Sequence, residues 1–267
     1  MSKLTSSTYL RNYQYRDSKN LSARAGLHEN FSVNKTGWQK WAFQQLELPP
    51  GANVLEIGAG PGYLWRQNRQ NIGTAWQVFL TDLSQGMLEE SRAALSGLSQ
   101  FSYSVLDGVD LPFPEGFFDA VIANHVLYHL PVPSQALQEI ERVLKPGCCL
   151  YAATNGEAHL KEIRDWKKAF LPESDQIEWG TISAGFNLEN GRGLLEEIFP
   201  SVQTRVYPDR LEIDQVGPVL DYIESYTDLE GSPEFSHNLG IFLKNMLSEK
   251  GTITISKDTG MFLAAKR

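Results

Sequence analysis

The chain has 267 residues, 42% of them hydrophobic and 21% charged, with a formal net charge of −8. That length and apolar fraction suffice for one large α/β domain with a subdomain and exclude a disordered chain. The acidic balance, with no run of Lys and Arg longer than a pair, disfavours a phosphate backbone as partner, so no nucleic acid is expected.

Residues 4 to 48 read as helical, broken near Lys19–Asn20 and Asn34, and are rich in aromatics: Tyr9, Tyr13, Tyr15, Phe31, Trp38, Trp41 and Phe43. They form either a helix packing aromatics onto the main domain or a lid over a ligand. The opening MSKLTSSTYLRNYQYRD holds no apolar core of a secretory signal. No stretch approaches the roughly 18 apolar residues of a membrane span. The two cysteines, Cys148 and Cys149, are adjacent, and adjacent thiols bridge only with backbone strain. No disulfide framework is expected, and the expectation is a soluble, cytoplasmic protein with no membrane partner.

From residue 53 short apolar runs alternate with helical stretches. NVLEI (53–57), WQVFL (76–80), FSYSVL (101–106), FDAVIA (118–123) and CLYAAT (149–154) read as strands. SQGMLEESRAAL (84–95) and PSQALQEIERVL (133–144) read as helices. The second carries Leu137, Ile140, Val143 and Leu144 on one face and ends at KPG, 145–147. Such alternation predicts a parallel sheet with helices on both sides. Past residue 155 the rhythm loosens: helices near 157–171, 215–226 and 234–249, a strand at SVQTRVYP, and a C-terminal hairpin of GTITISKD and GMFLAAK. The irregular middle is expected to cap the ligand side.

The most specific motif is VLEIGAGPGYL (54–64), where a buried strand with Glu56 runs into Gly58, Gly60 and Gly62. Glycines let backbone turn tightly and approach a ligand closely. A dinucleotide loop, G-x-G-x-x-G, would need glycine where Tyr63 stands. This form suits instead a ligand with an amino-acid head and no pyrophosphate. Asp82, ending the second strand 20 residues past Gly62, can accept ribose hydroxyls or cap the following helix. Asp107, after the third strand, can bind a purine amine or serve a turn. ANH (123–125) ends the fourth strand. Open α/β sheets bind ligands at these carboxyl ends.

LEIGAGPG, the acid of TDLS (81–84), the block SVLDG–LPFPEGFFDAVIANHVLYHL and RVLKPG (142–147) together resemble a class I S-adenosylmethionine-dependent methyltransferase over roughly residues 50 to 155. The resemblance implies an α/β, Rossmann-like, seven-stranded and mostly parallel sheet with an antiparallel last strand, a helical N-terminal lid (1–48) and a small cap insertion. The methyltransferase domain would span 49–267, with its cap and substrate region at about 156–200 and 208–235. Gly58, Ala59, Gly60 and Gly62 would line the methionine moiety, with Glu56 positioning the loop. Asp82 would hold the ribose, Leu83 and Met87 the adenine face, and Asp107 and Gly108 the adenine edge. Asn124 would meet the methionine amino group. Family members often carry KPGG where this chain has Lys145-Pro146-Gly147-Cys148, a change expected to leave cofactor binding intact.

Methyl transfer from a sulfonium needs alignment and, for oxygen or nitrogen acceptors, a base. His125 is the first candidate base and His129 the second. Their i,i+4 spacing invites a metal reading, but no further ligand cluster accompanies them, so no metal is expected. ANHVLYHLP with a following TNG-x-x-H resembles a group of bacterial small-molecule methyltransferases. Asn155 and His159, together with Tyr15, Arg24 and His28 of the lid, are the candidate acceptor contacts, with His159 read alternatively as a helix-surface residue. Trp38 and Trp41 are read as packing. The expected function is methyl transfer from S-adenosylmethionine, leaving S-adenosylhomocysteine, to oxygen or nitrogen, less readily carbon, of a small molecule. The competitors are a cofactor-bound enzyme of non-methyl chemistry such as a cyclisation, an RNA or protein methyltransferase, and a nicotinamide reductase. Oligomeric state is left open.

Overall fold

The computed structural model describes residues 18–170, 183–225 and 233–267. Tyr9, Tyr13 and Tyr15, and parts of the expected cap, lie outside the described residues. The chain enters through helices α1 (Lys19–Phe31) and α2 (Trp38–Gln44). It then builds β1 (Asn53–Ile57), α3 (Tyr63–Gln67), β2 (Gln77–Asp82), α4 (Gln85–Ala94), β3 (Phe101–Val105) and β4 (Phe118–Asn124). Next come α5 (Pro133–Val143), β5 (Leu144–Asn155), α6 (Lys161–Phe170), α7 (Gly191–Glu196), β6 (Ser201–Val206), β7 (Asp209–Ile213) and α8 (Gly217–Glu224). The chain closes with α9 (Pro233–Lys250), β8 (Ile253–Lys257) and β9 (Thr259–Ala265).

Seven strands form one sheet in the order β3-β2-β1-β4-β5-β9-β6, and β9 runs antiparallel to both neighbours. The order reverses between β1 and β4, which places a crevice at their carboxyl ends. Register brings the chemistry level there: Ile57 pairs with Thr81 on one side and Ala123 on the other, so the residues that follow converge.

Both sheet faces are covered, which is why the strands read as continuous apolar runs. Leu55, Val121 and Leu150 face one way, against Leu137, Ile140 and Val143 of α5. Val54, Ile122 and Leu80 face the other, against Trp65, Leu88 and Leu95. Ala42 of α2 is buried in that second core, while Leu27 and Phe31 of α1 belong to a third. There they pack with Ile163, Trp166, Leu211, Tyr222, Ile223, Leu239 and Ile255. The N-terminal helix thus shares its core with α6, α8, α9 and the small sheet.

Two local expectations are corrected. GTITISKD and GMFLAAK do not form a hairpin. One residue, Asp258, separates β8 from β9. With no room for a reversal, β8 pairs antiparallel with β7 in a two-stranded sheet and β9 enters the main one. Leu144 is not helical either: it is extended, opens β5 and pairs with Phe118. The helical face ends at Val143 because the strand claims the next residue, and a register irregularity between Phe118 and Ala120 absorbs the transition.

Candidate active site

A cavity of about 550 Å³ opens at the carboxyl ends of the central strands, within the range of small-ligand sites. One half belongs to the glycine loop. Gly58, Gly60 and Gly62 have φ of 67°, 54° and 73°, a left-handed region that suits glycine. At Gly58 a Cβ would stand 2.6 Å from Val126 Cγ2, and at Gly62 one would stand 2.5 Å from Ser91 Oγ of α4. Gly58, Ala59 and Gly60 line the cavity; Gly62 is instead the packing contact with α4.

Asp82 ends β2 and ties this loop down. Its Oδ2 accepts from Gly60 N–H at 2.9 Å and its Oδ1 from Ser84 N–H at 2.9 Å. Burial pushes its carboxyl upward against those backbone bonds. The helix cap itself is Ser84, whose Oγ accepts from Met87 N–H at 3.2 Å. Leu83, Met87 and Gly108 line the cavity beside it. Asp107 does not. Its Oδ1 accepts from Val109 N–H at 3.3 Å and its carbonyl from Asp110 N–H at 3.3 Å, the bonds of a turn residue.

Glu56 is buried beneath the loop. Its Oε2 accepts from Trp65 Nε1 at 2.5 Å and its Oε1 from Asn124 Nδ2 at 3.4 Å. Burial, the dominant influence, raises its pKa to about 8 despite these bonds. Asn124 lines the cavity, and its Oδ1 is buried with no hydrogen-bond partner among the described residues.

The other half of the cavity is a histidine wall. His125 follows β4 directly, with φ of 54° and its N–H donating to Ala153 O at 3.0 Å. A left-handed non-glycine residue costs on the order of 1–3 kcal/mol and clusters at functional sites. Because of that turn, His125 and His129 do not share a helical face; His129 ends a 3-10 turn, Leu127–His129. Both line the cavity. The Trp38 ring lies 5.1 Å from His125 and 5.5 Å from Tyr207, so the residue packs and faces the cavity at once.

His28 on α1 lies 5.7 Å, ring to ring, from His159. His159 is no helix-surface residue. Its Nδ1 accepts from Asp258 N–H at 3.3 Å and lies 3.1 Å from Thr259 Oγ1. Thr259 Oγ1 also donates to Asn155 Oδ1 at 2.9 Å. Burial and Lys257 lower the His28 pKa to about 3 and the His125 pKa to about 4; burial and His28 lower His159 well below the ordinary value. Arg24 is buried and lines the same half.

Sequence reasoning missed Lys257 and its partner Asp209. They are bonded Nζ to Oδ2 at 2.7 Å, with side chains 5% and 0% exposed. Nothing in TISKD or YPDRL marks either residue; only the pairing of β7 with β8, Asp209 opposite Lys257, brings them together. Among the described residues no group of three or more His, Cys, Asp or Glu could hold a metal ion, and no helix is long and apolar enough to cross a membrane.

The strand order, the crevice between β1 and β4, and the glycine loop clamped by an acid of β2 are those of the class I methyltransferase fold. Residues 55–152 match the family model described as methyltransferase domain. The ubiquinone/menaquinone biosynthesis C-methyltransferase UbiE of Burkholderia mallei is 34% identical over 124 residues, 46% of this chain and 48% of its own. The chain thus spans about half the length of the curated relatives it matches. Among solved structures, Haemonchus contortus phosphoethanolamine N-methyltransferase 2, in complex with phosphomonomethylethanolamine and S-adenosylhomocysteine, superposes with a TM-score of 0.60 at 21% identity. The match covers 96% of this chain and 59% of that one. The YcgJ protein of Bacillus subtilis gives 0.57 at 15% identity, covering 86% and 97%. At these identities the structural likeness carries the fold.

Proposed function

We propose that the chain is an S-adenosylmethionine-dependent methyltransferase acting on a small molecule at oxygen or nitrogen, with His125 as the base. The observation that carries this reading is the buried Asn124 Oδ1, unpartnered among the described residues, beside a loop where Gly58 and Gly62 leave no room for a Cβ. A buried acceptor without a donor is costly, on the order of 1–3 kcal/mol. An amino group arriving in that corner satisfies it. Asp82, which accepts from the backbone N–H groups of Gly60, Ser84 and Leu83, keeps a lone pair for a ribose hydroxyl. Gly58, Ala59 and Gly60 would border the amino-acid head, Leu83, Met87 and Gly108 the base, with Glu56 holding Asn124 in place. Gly62 and Asp107 would act by shaping the loops.

When bound, S-adenosylmethionine supplies a methyl carbon activated by its sulfonium, for direct displacement with release of S-adenosylhomocysteine. The remaining work belongs to the chain. His125, neutral at pH 7 because burial and Lys257 resist its protonation, can take the acceptor's proton. His129 is the second choice. Arg24, His28, Asn155 and His159 would position the acceptor; Tyr15 stays a sequence expectation. The resistance to imidazolium formation suits an acceptor whose proton leaves easily.

Carbon is the second reading, favoured by the C-methyltransferases among the relatives. Incubation with isotopically labelled cofactor and a host metabolite extract, read by mass spectrometry, identifies the labelled product. Absence of S-adenosylmethionine binding in calorimetry would sink the whole reading. Binding without label transfer would point to non-methyl chemistry.

A further inference from the structure

We infer that Lys257 is the specificity-determining cation of the acceptor site and that the methyl acceptor carries an anionic oxygen, a carboxylate or phenolate, which Lys257 holds. This rests on the methyltransferase reading of the same cavity. Lys257 lines the cavity and Asp209 does not. On the inferred geometry a ligand that reaches Lys257 has Asp209 on the far side of it.

The carboxylate is shared on that far side. Asp209 Oδ1 accepts from Asn34 N–H at 2.9 Å, and Oδ2 accepts from Ser32 Oγ as well as from Lys257. An ammonium has three donors. Among the described residues Lys257 spends one on Asp209, and its Nζ lies 5.1 Å from the centre of the Tyr207 ring. A buried ammonium on a cavity wall with donors to spare is a site for an oxygen anion.

The surrounding charges agree. In a chain of net charge −8, this half of the cavity is bordered by Arg24, Lys35 and Lys257. Lys35 sits at the mouth, donating to Ser32 O at 3.0 Å. Of the histidines there, His28, His125 and His159 are held neutral. Of the lining acids, Glu56 and Asp82 belong to the cofactor half, and Glu29 is exposed at the rim, accepting from Gln67 Nε2 at 2.9 Å. Among the described residues a cationic amine finds no buried carboxylate lining this half. An anion does find a cation, and His28 Nδ1, buried without a partner among those residues, offers a second polar contact.

The test uses the full chain saturated with S-adenosylhomocysteine, titrated with four probes of similar size: benzoate, ionised 4-nitrophenol, benzyl alcohol and benzylamine. At least one anion is expected to bind about tenfold or more tightly than the alcohol and the amine, a difference of about 1.4 kcal/mol. The tighter of the two anions tells carboxylate from phenolate. Lys257→Met should abolish the preference and Lys257→Arg should keep most of it. If Lys257→Met no longer binds S-adenosylhomocysteine, wild type and Lys257→Arg decide alone. Anions that bind no better than benzylamine, or not at all, overturn the inference and leave the cofactor reading standing. Failure of S-adenosylhomocysteine to bind wild type removes both.

Discussion

The two halves of the cavity are built in opposite ways. The glycine-loop half comes from one run of chain, Glu56 to Asn124, at the ends of neighbouring parallel strands whose register is fixed by burial on both faces. The histidine half is gathered from α1, α2, the turn after β4, the start of the cap and the β7–β8 sheet. Its bonds span up to 177 residues, as from Ser32 to Asp209. The first half is a fixed socket of backbone and two acids. The second is a wall of side chains drawn from separate elements. Disturbing the first should therefore weaken cofactor binding and stability, and disturbing the second should change turnover and acceptor choice.

The largest effect expected is on that second side. His125→Ala should lower turnover by about 10²–10⁴-fold at saturating cofactor, with cofactor affinity little changed. His125→Asn, which tolerates the same left-handed backbone, should be just as slow but no less stable than wild type. Unchanged turnover in either variant removes His125 as base. Asp82→Ala should have the inverse signature. It leaves the Gly60 and Ser84 N–H groups without their acceptor and removes the proposed ribose contact. Calorimetry should read roughly 100-fold weaker S-adenosylmethionine binding, about 3 kcal/mol.

Gly58→Ala combines a strained φ of 67° with a Cβ 2.6 Å from Val126 Cγ2. A stability loss of about 2 kcal/mol is expected, seen as a Tm roughly 4–8 °C lower. An unshifted Tm would mean the loop is softer than its packing indicates. The smallest effect concerns Glu56. Its folded pKa of about 8 lies above the ordinary 4.5, so the folded state holds the proton more tightly. The stability this contributes is complete below about pH 4.5 and is lost as pH rises through about 8. The histidines, whose folded values are depressed, act in the other direction and only below about pH 6.5. Glu56 alone should therefore contribute a loss of about 1 kcal/mol between pH 7 and 8. Lys167, whose pKa burial lowers to about 7, adds stability over the same window, so the Glu56 loss is read as the difference between denaturant titrations of wild type and Glu56→Gln. A variant whose slope is identical to wild type would put the proton elsewhere.

The same division governs what could be read from the chain itself. Glu56, the glycines, Asp82 and Asn124 are legible because each stands at the end of an apolar strand, and strand ends converge by topology alone. The parallel sheet follows from the same alternation, whereas its antiparallel last strand was implied by the family resemblance. His125 has the same strand-end address, although its i,i+4 partner was a distraction: the left-handed turn breaks the helix the spacing invites. Lys257 and Asp209 carry no local signal, since Lys257 sits in an ordinary alternating strand and Asp209 after a proline. Asp107 shows the converse. A strand-end acid has the right address, yet its carboxylate is taken up by its own turn. The misplaced hairpin came from reading GTITISKD and GMFLAAK as partners when the single residue between them leaves no turn.

That single residue couples the two sheets tightly. Asp258 O accepts from Gly156 N–H at 3.0 Å, and its carboxylate accepts from Ala158 N–H at 3.3 Å. Lys257 before it belongs to the two-stranded sheet and Thr259 after it to the main sheet. The junction has no slack, so the two-stranded sheet cannot change its distance from the cofactor floor here without rebuilding both sheets. New acceptors must be accommodated by exchanging side chains on a frame of fixed depth, and the depth itself is set by the length of one peptide unit.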